Sequence, residues 1–397
     1  MAKWIKCKIE DIGSVVGGAT PSTKKEENYL NGKIAWITPK DLSNFRGRYI
    51  GQGERNITET GMNSCSTQLL PVNTVLFSSR APIGYVAIAA NEICTNQGFK
   101  SVIPNENINP MFLYYLLKYN KDKIENMGSG TTFKEVSGTT MKNIVVSVPA
   151  NIKEQEKIAC ILDTIDNKIE ENERINNNLE QQAEVLFQSI LSNAVTTVNL
   201  GEIADVKGGK RLPKGVNLID IPNTHPYIRV RDLNNVLFAS LTPNYAYVDE
   251  ETQKSISRYI VSTGDVLISI VGTIGLTAIV DSTLDKANLT ENCVKVTNLK
   301  HMTPEYLLLY LRSQLGREAI TKGTVGAVQQ KLPIKNIQTI PIPLLSEKDK
   351  NTLFCILDSI FAEISSNVIQ SAKLSSLRDT LLPKLMSGEI DVSDIAL

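Results

Sequence analysis

The sequence predicts an α+β protein made of two copies of one unit, each a strand-rich lobe followed by a long helix. Sliding the chain against itself by 191 residues places 35–42 on 226–233 and 75–84 on 266–275 without a gap. After each lobe, the apolar spacing changes from short β-rich runs to a helical period. We therefore divide the chain into four parts: 1–150, 151–197, 198–345 and 346–397.

The repeat stays collinear towards the C terminus, where the offset drifts to 195 and 160–163 falls on 355–358. Within each lobe, β-branched and aromatic runs such as 73–79 and 143–149 are broken by Gly, Pro and Asn, which is typical of short strands. One helix is predicted within the first lobe, at 111–127. We call residues 1–150 lobe 1 and residues 198–345 lobe 2.

Each of the two long helices carries an apolar seam whose steps alternate between four and three residues, as in a coiled coil. The first seam comprises Ile158, Leu162, Ile165, Ile169, Asn172, Asn176, Leu179, Ala183, Leu186 and Ile190. The second comprises Leu353, Leu357, Ile360, Ile364, Asn367, Ser371, Leu374, Arg378, Leu381 and Leu385.

A single helix of this kind could equally pack on its own lobe. Each seam is about 50 Å long at 1.5 Å per residue, and because the two seams match, we expect the helices to form an antiparallel coiled coil with a pseudo-twofold axis. Asn172 and Asn367 would then fix the register as polar seam residues.

The composition is that of an ordinary globular protein, with 42% hydrophobic residues and no net charge. The six cysteines form no C-x-x-C pair and the two histidines lie far apart, so we expect reduced structural thiols and no metal site. The N-terminal residues lack a signal-peptide pattern, and the apolar runs are too short to span a bilayer. We therefore expect a cytoplasmic protein without a membrane segment.

Charge is divided along the same boundaries. The net charge is +5 for 1–150 and +3 for 199–345, but −5 for 151–198 and −3 for 346–397. Basic lobes can neutralise a few phosphates, whereas acidic helices suit a protein partner.

Motifs for catalysis are missing from the sequence. It contains no G-x-x-x-x-G-K-[ST], no G-x-G-x-x-G between strand and helix, no H-E-x-x-H and no G-x-S-x-G. It also lacks the (D/N)-P-P-(Y/F) motif that positions a flipped base for methylation. We expect no catalysis by this chain, although a scattered acidic site remains an alternative at this stage.

Several segments of the chain together resemble the specificity subunit of a type I restriction-modification system. In lobe 1 they are GGATPS (17–22), AWI with a following acid (35–41), SSRAPIG (78–84), TNQGF (95–99) and GSGTTF (128–133). The passage from lobe 1 into the first helix (148–166) and the segment 377–390 are similar to the two conserved helical regions of that family. In lobe 2, GGKRLPKG replaces GGATPS, and TENCV (290–294) stands where TNQGF would.

This resemblance implies that each lobe is a target-recognition domain for one half of a bipartite double-stranded DNA target. The helix pair would set the spacer, and about 50 Å somewhat exceeds one DNA turn of about 34 Å. Two methyltransferase subunits that carry S-adenosylmethionine, and a restriction and translocation subunit, would be the partners. This chain itself would hold no cofactor.

The candidate DNA contacts are polar and basic side chains on the motif loops, although any one of them could be merely solvated. In lobe 1 they are Thr20, Ser22, Lys24, Lys25, Lys40, Arg46, Arg48, Arg80, Thr131, Thr132 and Lys134. In lobe 2 they are Lys210, Arg211, Lys214, Arg229, Arg231, Gln329, Gln330 and Lys331.

Other motif residues are interpreted as structural. We expect Trp36 and Tyr227 to be core aromatics, and Gly17-Gly18 and Gly208-Gly209 to permit tight turns. The main alternative function is a coiled-coil scaffold whose lobes bind proteins rather than DNA. A fused recognition and methylation enzyme is a further alternative, without a motif in its favour.

Overall fold

The structure, a computed structural model, describes residues 3–43, 45–130, 134–242 and 245–393. The chain forms two compact units. Unit 1 comprises Met1–Glu171 and Lys373–Leu397, and unit 2 comprises Asn172–Ala372. Each unit therefore contains one lobe together with a segment of each long helix.

The described part of lobe 1 is built on ten strands. They are β1 (Trp4–Lys8), β2 (Gly13–Gly17), β3 (Ile34–Ile37), β4 (Tyr49–Ile50), β5 (Arg55–Ile57), β6 (Val75–Ser79), β7 (Ile83–Ala89), β8 (Ile93–Thr95), β9 (Lys100–Pro104) and β10 (Val145–Pro149). They form a five-stranded sheet in the order β2-β9-β6-β7-β4, a three-stranded sheet β5-β3-β8, and the pair β1-β10.

Lobe 2 repeats this topology strand for strand. Its strands are β11 (Thr196–Asn199), β12 (Asp205–Gly208), β13 (Pro226–Ile228), β14 (Phe238–Ala239), β15 (Ala246–Tyr247), β16 (Val266–Ser269), β17 (Thr277–Val280), β18 (Asn288–Leu289), β19 (Cys293–Thr297) and β20 (Pro341–Leu344). The sheet orders are β12-β19-β16-β17-β14, β15-β13-β18 and β11-β20. The internal repeat read from the sequence is therefore a repeat of the fold.

The helices follow the same duplication. In and after lobe 1 they are α1 (Ile9–Ile12), α2 (Pro39–Ser43), α3 (Glu59–Asn63), α4 (Pro110–Tyr119), α5 (Lys121–Asn126), α6 (Gly138–Asn143) and α7 (Ile152–Leu191). In and after lobe 2 they are α8 (Leu200–Ile203), α9 (Glu250–Ile256), α10 (Pro304–Arg312), α11 (Gln314–Gly323), α12 (Ile334–Gln338) and α13 (Glu347–Ser387). Short 3-10 turns lie at Glu26–Asn28, Val230–Leu233, Ser257–Tyr259 and Ser282–Leu284.

The helix predicted at 111–127 is two helices, α4 and α5, that meet at Asn120. The Asn120 side chain donates to the carbonyl oxygen of Leu116 at 2.8 Å, and its backbone N–H bonds the same carbonyl, so Asn120 caps α4. At the start of α4, the side chain of Asn109 accepts from the N–H of Phe112 and Pro110 is the first helical residue.

The first long helix ends earlier than the predicted segment 151–197. Helix α7 stops at Leu191, and β11 already begins at Thr196, where it pairs with β20. The second long helix, α13, ends at Ser387, short of 397, and contains Pro383.

In each unit, segments of both long helices complete the core of the lobe. In unit 1, Ile158 and Leu162 of α7 and Leu385 and Met386 of α13 are buried in the main core of lobe 1. In unit 2, an apolar core joins lobe 2 to another set of helix residues: Ala183, Phe187, Leu353, Leu357, Ile360 and Ile364. Seam residues of both long helices are buried in the lobe cores. Packing of a long helix on its lobe therefore does not exclude packing of the two helices on each other.

Polar seam residues bridge α7 and α13 within unit 2. Asn172 Nδ2 donates to Gln370 Oε1 at 2.8 Å and to Ser371 Oγ at 3.1 Å. Asn367 Nδ2 donates to Asn176 Oδ1 at 2.9 Å. The partner's number falls as the residue number rises, so these two segments run in opposite directions. A coiled coil over the full length and a register role for the two asparagines stay predictions.

Among the described residues, α13 is long and apolar enough to cross a membrane by length and composition alone. Its apolar residues Leu353, Leu357 and Ile364 are buried in the core of unit 2. That core buries part of the apolar face of the helix.

All six cysteines are free thiols, two of them in the lobe cores. Burial raises the pKa of the Cys94 thiol to about 11 and that of Cys293 to about 12.

The assignment of Arg48 to a DNA contact is corrected by the structure. Arg48 is 3% exposed, and its guanidinium binds Asp163 and Asn167 and lies 2.9 Å from Glu170 Oε1, all on α7. Burial alone lowers the pKa of Arg48, but the hydrogen bond to Glu170 and the charges of Glu170 and Asp163 outweigh it and raise the pKa. Arg48 therefore joins lobe 1 to the helix.

We call the contact between a lobe and its helix segments a joint. A second ionic contact lies in the joint of unit 1. Asp166 of α7 is 5% exposed, accepts from Tyr115 Oη at 2.7 Å, and pairs with Arg378 of α13 at 2.8 Å. Lobe 1 is thus tied to both helix segments through charge-assisted hydrogen bonds.

At the matching positions of unit 2 the contacts are apolar, and its ion pair to α7 lies elsewhere, between Arg312 and Glu180 at 3.3 Å. Arg48 accepts through its carbonyl from Ile88 of β7, and the matching bond from Ile279 of β17 goes to Leu237, which is buried. The aromatic pair Phe238 and Phe361 lies beside it, with ring centroids 6.0 Å apart. Unit 1 holds its helices by charge at positions where unit 2 uses apolar packing.

We predict that Arg48→Met lowers the free energy of unfolding of unit 1 by about 2 kcal/mol, because three polar groups on α7 lose a buried partner. Both tryptophans, Trp4 and Trp36, lie in unit 1, so urea unfolding followed by tryptophan fluorescence reports this unit alone.

The exposed Lys24→Met is the matched control and should change this free energy by less than about 0.5 kcal/mol. Adding Asp163→Asn and Glu170→Gln to Arg48→Met should recover part of the loss, since the unpaired charges are then removed. Equal effects of the two single variants would contradict the role of Arg48.

Candidate nucleic-acid interface

Four motif loops of lobe 1 meet along one edge of the lobe, joined by backbone hydrogen bonds. The N–H of Ala19 bonds the carbonyl of Thr95 at 3.0 Å, which joins the GGATPS and TNQGF loops. Ser79 N–H bonds Gly98 O at 2.7 Å, and Val136 N–H bonds Ser79 O at 3.0 Å. We call these segments, 17–22, 78–84, 95–99 and 128–136, the loop edge of lobe 1.

Lobe 2 has an equivalent loop edge, formed by 208–214, 269–275, 289–293 and 325–332. Lys210 N–H bonds Leu289 O at 2.8 Å, Ile270 N–H bonds Asn292 O at 2.8 Å, and Leu332 N–H bonds Ile270 O at 2.9 Å. The three bonds match those of lobe 1 one for one. The side chains on the two edges differ while the backbone connections are kept.

These bonds also correct the sequence alignment of one loop. Thr95 lies beside Ile37 in the parallel pair β3-β8, and Leu289 lies beside Ile228 in the pair β13-β18. Leu289 rather than Thr290 is therefore the counterpart of Thr95, and LTENC rather than TENCV corresponds to TNQGF.

The second glycine of each pair is needed for close approach, not for a tight turn as the sequence suggested. A Cβ on Gly18 would lie 2.1 Å from the carbonyl oxygen of Thr95, and one on Gly209 would lie 2.0 Å from that of Thr290. Neither glycine has a positive φ. Only a residue without a side chain lets the two loops approach this closely.

The motif aromatics are core residues, as the sequence indicated. Trp36 and Tyr227 are buried, and each donates to the carbonyl just after the double glycine: Trp36 Nε1 to Ala19 O at 3.1 Å, and Tyr227 Oη to Lys210 O at 2.9 Å. They hold the first loop from behind.

The last loop of each edge is closed by a pair of backbone bonds. In lobe 1, Ser129 and Glu135 exchange N–H to carbonyl bonds of 3.0 and 2.9 Å, and in lobe 2 Val325 and Lys331 do so at 2.9 Å each. Thr131 and Thr132, two of the candidate contacts, lie outside the described residues.

The described lobe 1 candidates other than Arg48 are exposed or half-buried, and several are held by neighbours. Thr20 Oγ1 donates to Gln97 Oε1, which links two loops of the edge through their side chains. Lys40 pairs with Glu54 at 2.7 Å, and Arg80 lies 3.4 Å from Glu135. Side chains exposed to solvent are those of Ser22, Lys24, Lys25, Arg46 and Lys134.

In lobe 2, the side chain of Arg229 is half-buried and those of the other candidates are exposed. The Arg229 side chain pairs with the Asp232 carboxylate, and the same carboxylate accepts from the backbone N–H of Arg229. Arg229 therefore stabilises the local turn. Arg211 is exposed and pairs with Glu291 at 2.8 Å. Exposed residues also include Lys210, Lys214, Arg231, Gln329, Gln330 and Lys331.

Two polar residues were missed from the sequence, one on the lobe 1 edge and one directly beside it. Gln97 is the partner of Thr20, and Lys100 lies 3.4 Å from Glu135 beside Arg80. Gln97 lies inside the TNQGF motif, which was a usable signal. Lys100 follows that motif by one residue and had none.

Within the described ranges, no three His, Cys, Asp or Glu side chains are grouped so as to hold a metal ion. The loop edges instead present hydroxyl, amide, lysine and arginine groups, which are the side chains that bind phosphates and base edges.

Two copies of one lobe, each with a polar and basic loop edge held by backbone bonds, define a duplicated recognition protein. A family model described as "Type I restriction modification DNA specificity domain" matches residues 1–181 and 193–374, and the chain belongs to that family.

Relatives support this assignment over the whole chain. The type I restriction enzyme MjaIX specificity subunit of Methanocaldococcus jannaschii is 31% identical, over 99% of this chain and 94% of its own length. The type I restriction enzyme EcoBI specificity subunit of Escherichia coli is 22% identical over 98% of this chain and 86% of its own. The fold is similar to that of the type I restriction-modification system S subunit from M. genitalium, with a TM-score of 0.62 at 18% identity over 97% of this chain and 96% of the other.

We predict that Gly18→Ala lowers the free energy of unfolding of unit 1 by about 3 kcal/mol, because the new Cβ overlaps the Thr95 carbonyl and forces two loops apart. Gly17→Ala is the matched control: the nearest atom to its Cβ is 3.9 Å away, so the cost should stay below about 1 kcal/mol. Tryptophan fluorescence during urea unfolding measures both. Similar costs at the two positions would contradict the close-approach role.

Proposed function

We propose that each lobe reads one half of a bipartite double-stranded DNA target through its loop edge. The main support is the repetition of the same loop edge in two lobes that differ in their side chains. A conserved backbone frame with divergent tips is what two readers of different short sequences require.

Charge favours DNA as the ligand of the lobes. The two lobes are net basic and the two long helices net acidic. Phosphate contacts position a protein on DNA, and base contacts supply the sequence preference. A scaffold whose lobes bind only proteins would not need this separation of charge.

The long helices are proposed to serve the protein partners and to set the spacer between the half-sites. Two methyltransferase subunits would bind largely through these helices, hold S-adenosylmethionine and modify an adenine in the target. A restriction and translocation subunit would join them for cleavage. In this arrangement the chain works in the cytoplasm, contributes recognition alone and binds no cofactor of its own.

Exchange of lobe 1 tests the bipartite reading. Replacing residues 1–150 with a homologous lobe that retains an arginine at position 48 should change one half of the methylated motif and leave the other half intact. The measurement is genome-wide mapping of modified adenines in cells that co-express the chain with its methyltransferase. A change in both halves, or in neither, would exclude one half-site per lobe.

Salt dependence tests whether exposed lysines of the lobe 2 edge contact phosphates. For the complex with the methyltransferase, Lys210→Gln and Lys331→Gln should each weaken DNA binding about uniformly across sequences. Each should also reduce the slope of log affinity against log salt by about one.

The matched control is Lys254→Gln, since Lys254 is exposed on α9, outside the four loops. Unchanged slopes for the two loop lysines would favour the protein-binding alternative, and an equal change for Lys254 would show that the phosphate contacts are not specific to the loop edge.

A further inference from the structure

The last loop of the lobe 2 edge, residues 325–331, carries an apolar side chain at its tip. Val328 is fully exposed, at 102% of the reference surface. A single exposed valine is ordinary on a protein surface, so its meaning depends on the residues around it.

The conformation of this loop is held by backbone hydrogen bonds. Val325 and Lys331 exchange two backbone bonds, Leu332 N–H bonds Ile270 O, and Lys331 forms a bridge with Val271 of the neighbouring loop. Gly326 has a φ of +102°, and a Cβ there would meet the Gln329 carbonyl at 2.4 Å. The glycine thus permits the sharp turn that brings the tip out.

The chain segment that contains Val328 favours an anionic ligand. No Asp or Glu occurs from residue 319 to 346, whereas Lys322, Lys331 and Lys335 lie in that stretch. A basic protein surface of the kind that would suit the acidic helices would be repelled by these lysines. A phosphate backbone would be attracted to them.

Two amides stand next to the valine. Gln329 and Gln330 are exposed, and within the described part of the chain no side chain bonds their amide groups. A glutamine amide can bond N6 and N7 of adenine in the major groove, while an apolar side chain can contact the 5-methyl group of thymine. The loop therefore carries, on adjacent residues, the groups that read the two halves of an A·T pair.

We propose that Val328 contacts a thymine 5-methyl group in the major groove of the half-site read by lobe 2, with Gln329 or Gln330 on an adenine. This inference rests on the proposed function and names the base feature that one loop reads. Val328 is then a specificity-determining residue that charge and hydrogen-bonding patterns do not reveal.

The test uses deoxyuridine, which differs from thymidine only in lacking the 5-methyl group. The full chain is studied in complex with its methyltransferase, on duplexes in which each thymine of the mapped motif is replaced in turn. For the wild type, we expect one replacement, in one half-site, to weaken binding about fourfold, the value of one buried methyl group.

Val328→Ala should bind the unmodified duplex about fourfold more weakly and should no longer distinguish thymine from uracil at that position. Val325→Ala is the matched control, because Val325 is partly exposed at the base of the same loop and its backbone bonds are unaffected by the change. It should keep the wild-type discrimination.

Several results would overturn the inference: a motif without thymine, no response to any uracil, an unchanged response in Val328→Ala, or weaker methyltransferase binding by that variant in place of weaker DNA binding. In each case, specific methylation by the wild type would leave the proposed function standing. Failure of the wild-type complex to prefer any DNA sequence would instead remove the proposed function itself.

Discussion

The structure depends on one constraint: neither lobe closes its own core. Lobe 1 is completed by Ile158 and Leu162 from one helix and by Leu385 from the other, and lobe 2 is completed by a corresponding set. Burying such side chains contributes roughly 1.5–3 kcal/mol each, so a lobe separated from its helix segments would expose a large apolar surface. Each lobe therefore folds together with its own helix segments. This packing fixes the position of the loop edge relative to those segments.

Above that core, the recognition edges are built from backbone groups. The bonds from Ala19 to Thr95 and from Ser79 to Gly98 have exact counterparts in lobe 2, although the side chains in these loops differ. Backbone hydrogen bonds do not depend on side-chain identity, apart from the glycines that close approach requires. The side chains of the loops can therefore vary while the backbone hydrogen bonds between the loops are kept. Lobe 1 and lobe 2 differ in this way.

Much of this architecture could be predicted from the sequence, because a repeat and an apolar period are written along the chain. The duplicated lobes, the long helices and the buried Trp36 and Tyr227 all follow from such patterns. The family resemblance also pointed to the loops that meet along the lobe 1 edge.

Features that depend on contacts between distant segments could not be predicted in the same way. Arg48 looked like any arginine on a polar loop, and its partners Asp163 and Glu170 are 115 and 122 residues away. Their spacing of seven on one helix face was a weak signal that an opposite charge must meet them. The role of Gly18 was equally hidden, since a turn and a close approach demand the same residue.

The different chemistry of the two joints has a consequence for the gene. If coding segments for the lobes were shuffled between the two positions, the outcomes would differ. A second lobe placed first would set the apolar Leu237 against Asp163 and Glu170 and strand their charges. A first lobe placed second would bring Arg48 to a joint that contains Phe361. The two positions therefore differ in the residues that they require of a lobe, and a lobe moved from one to the other would need matching changes at its joint.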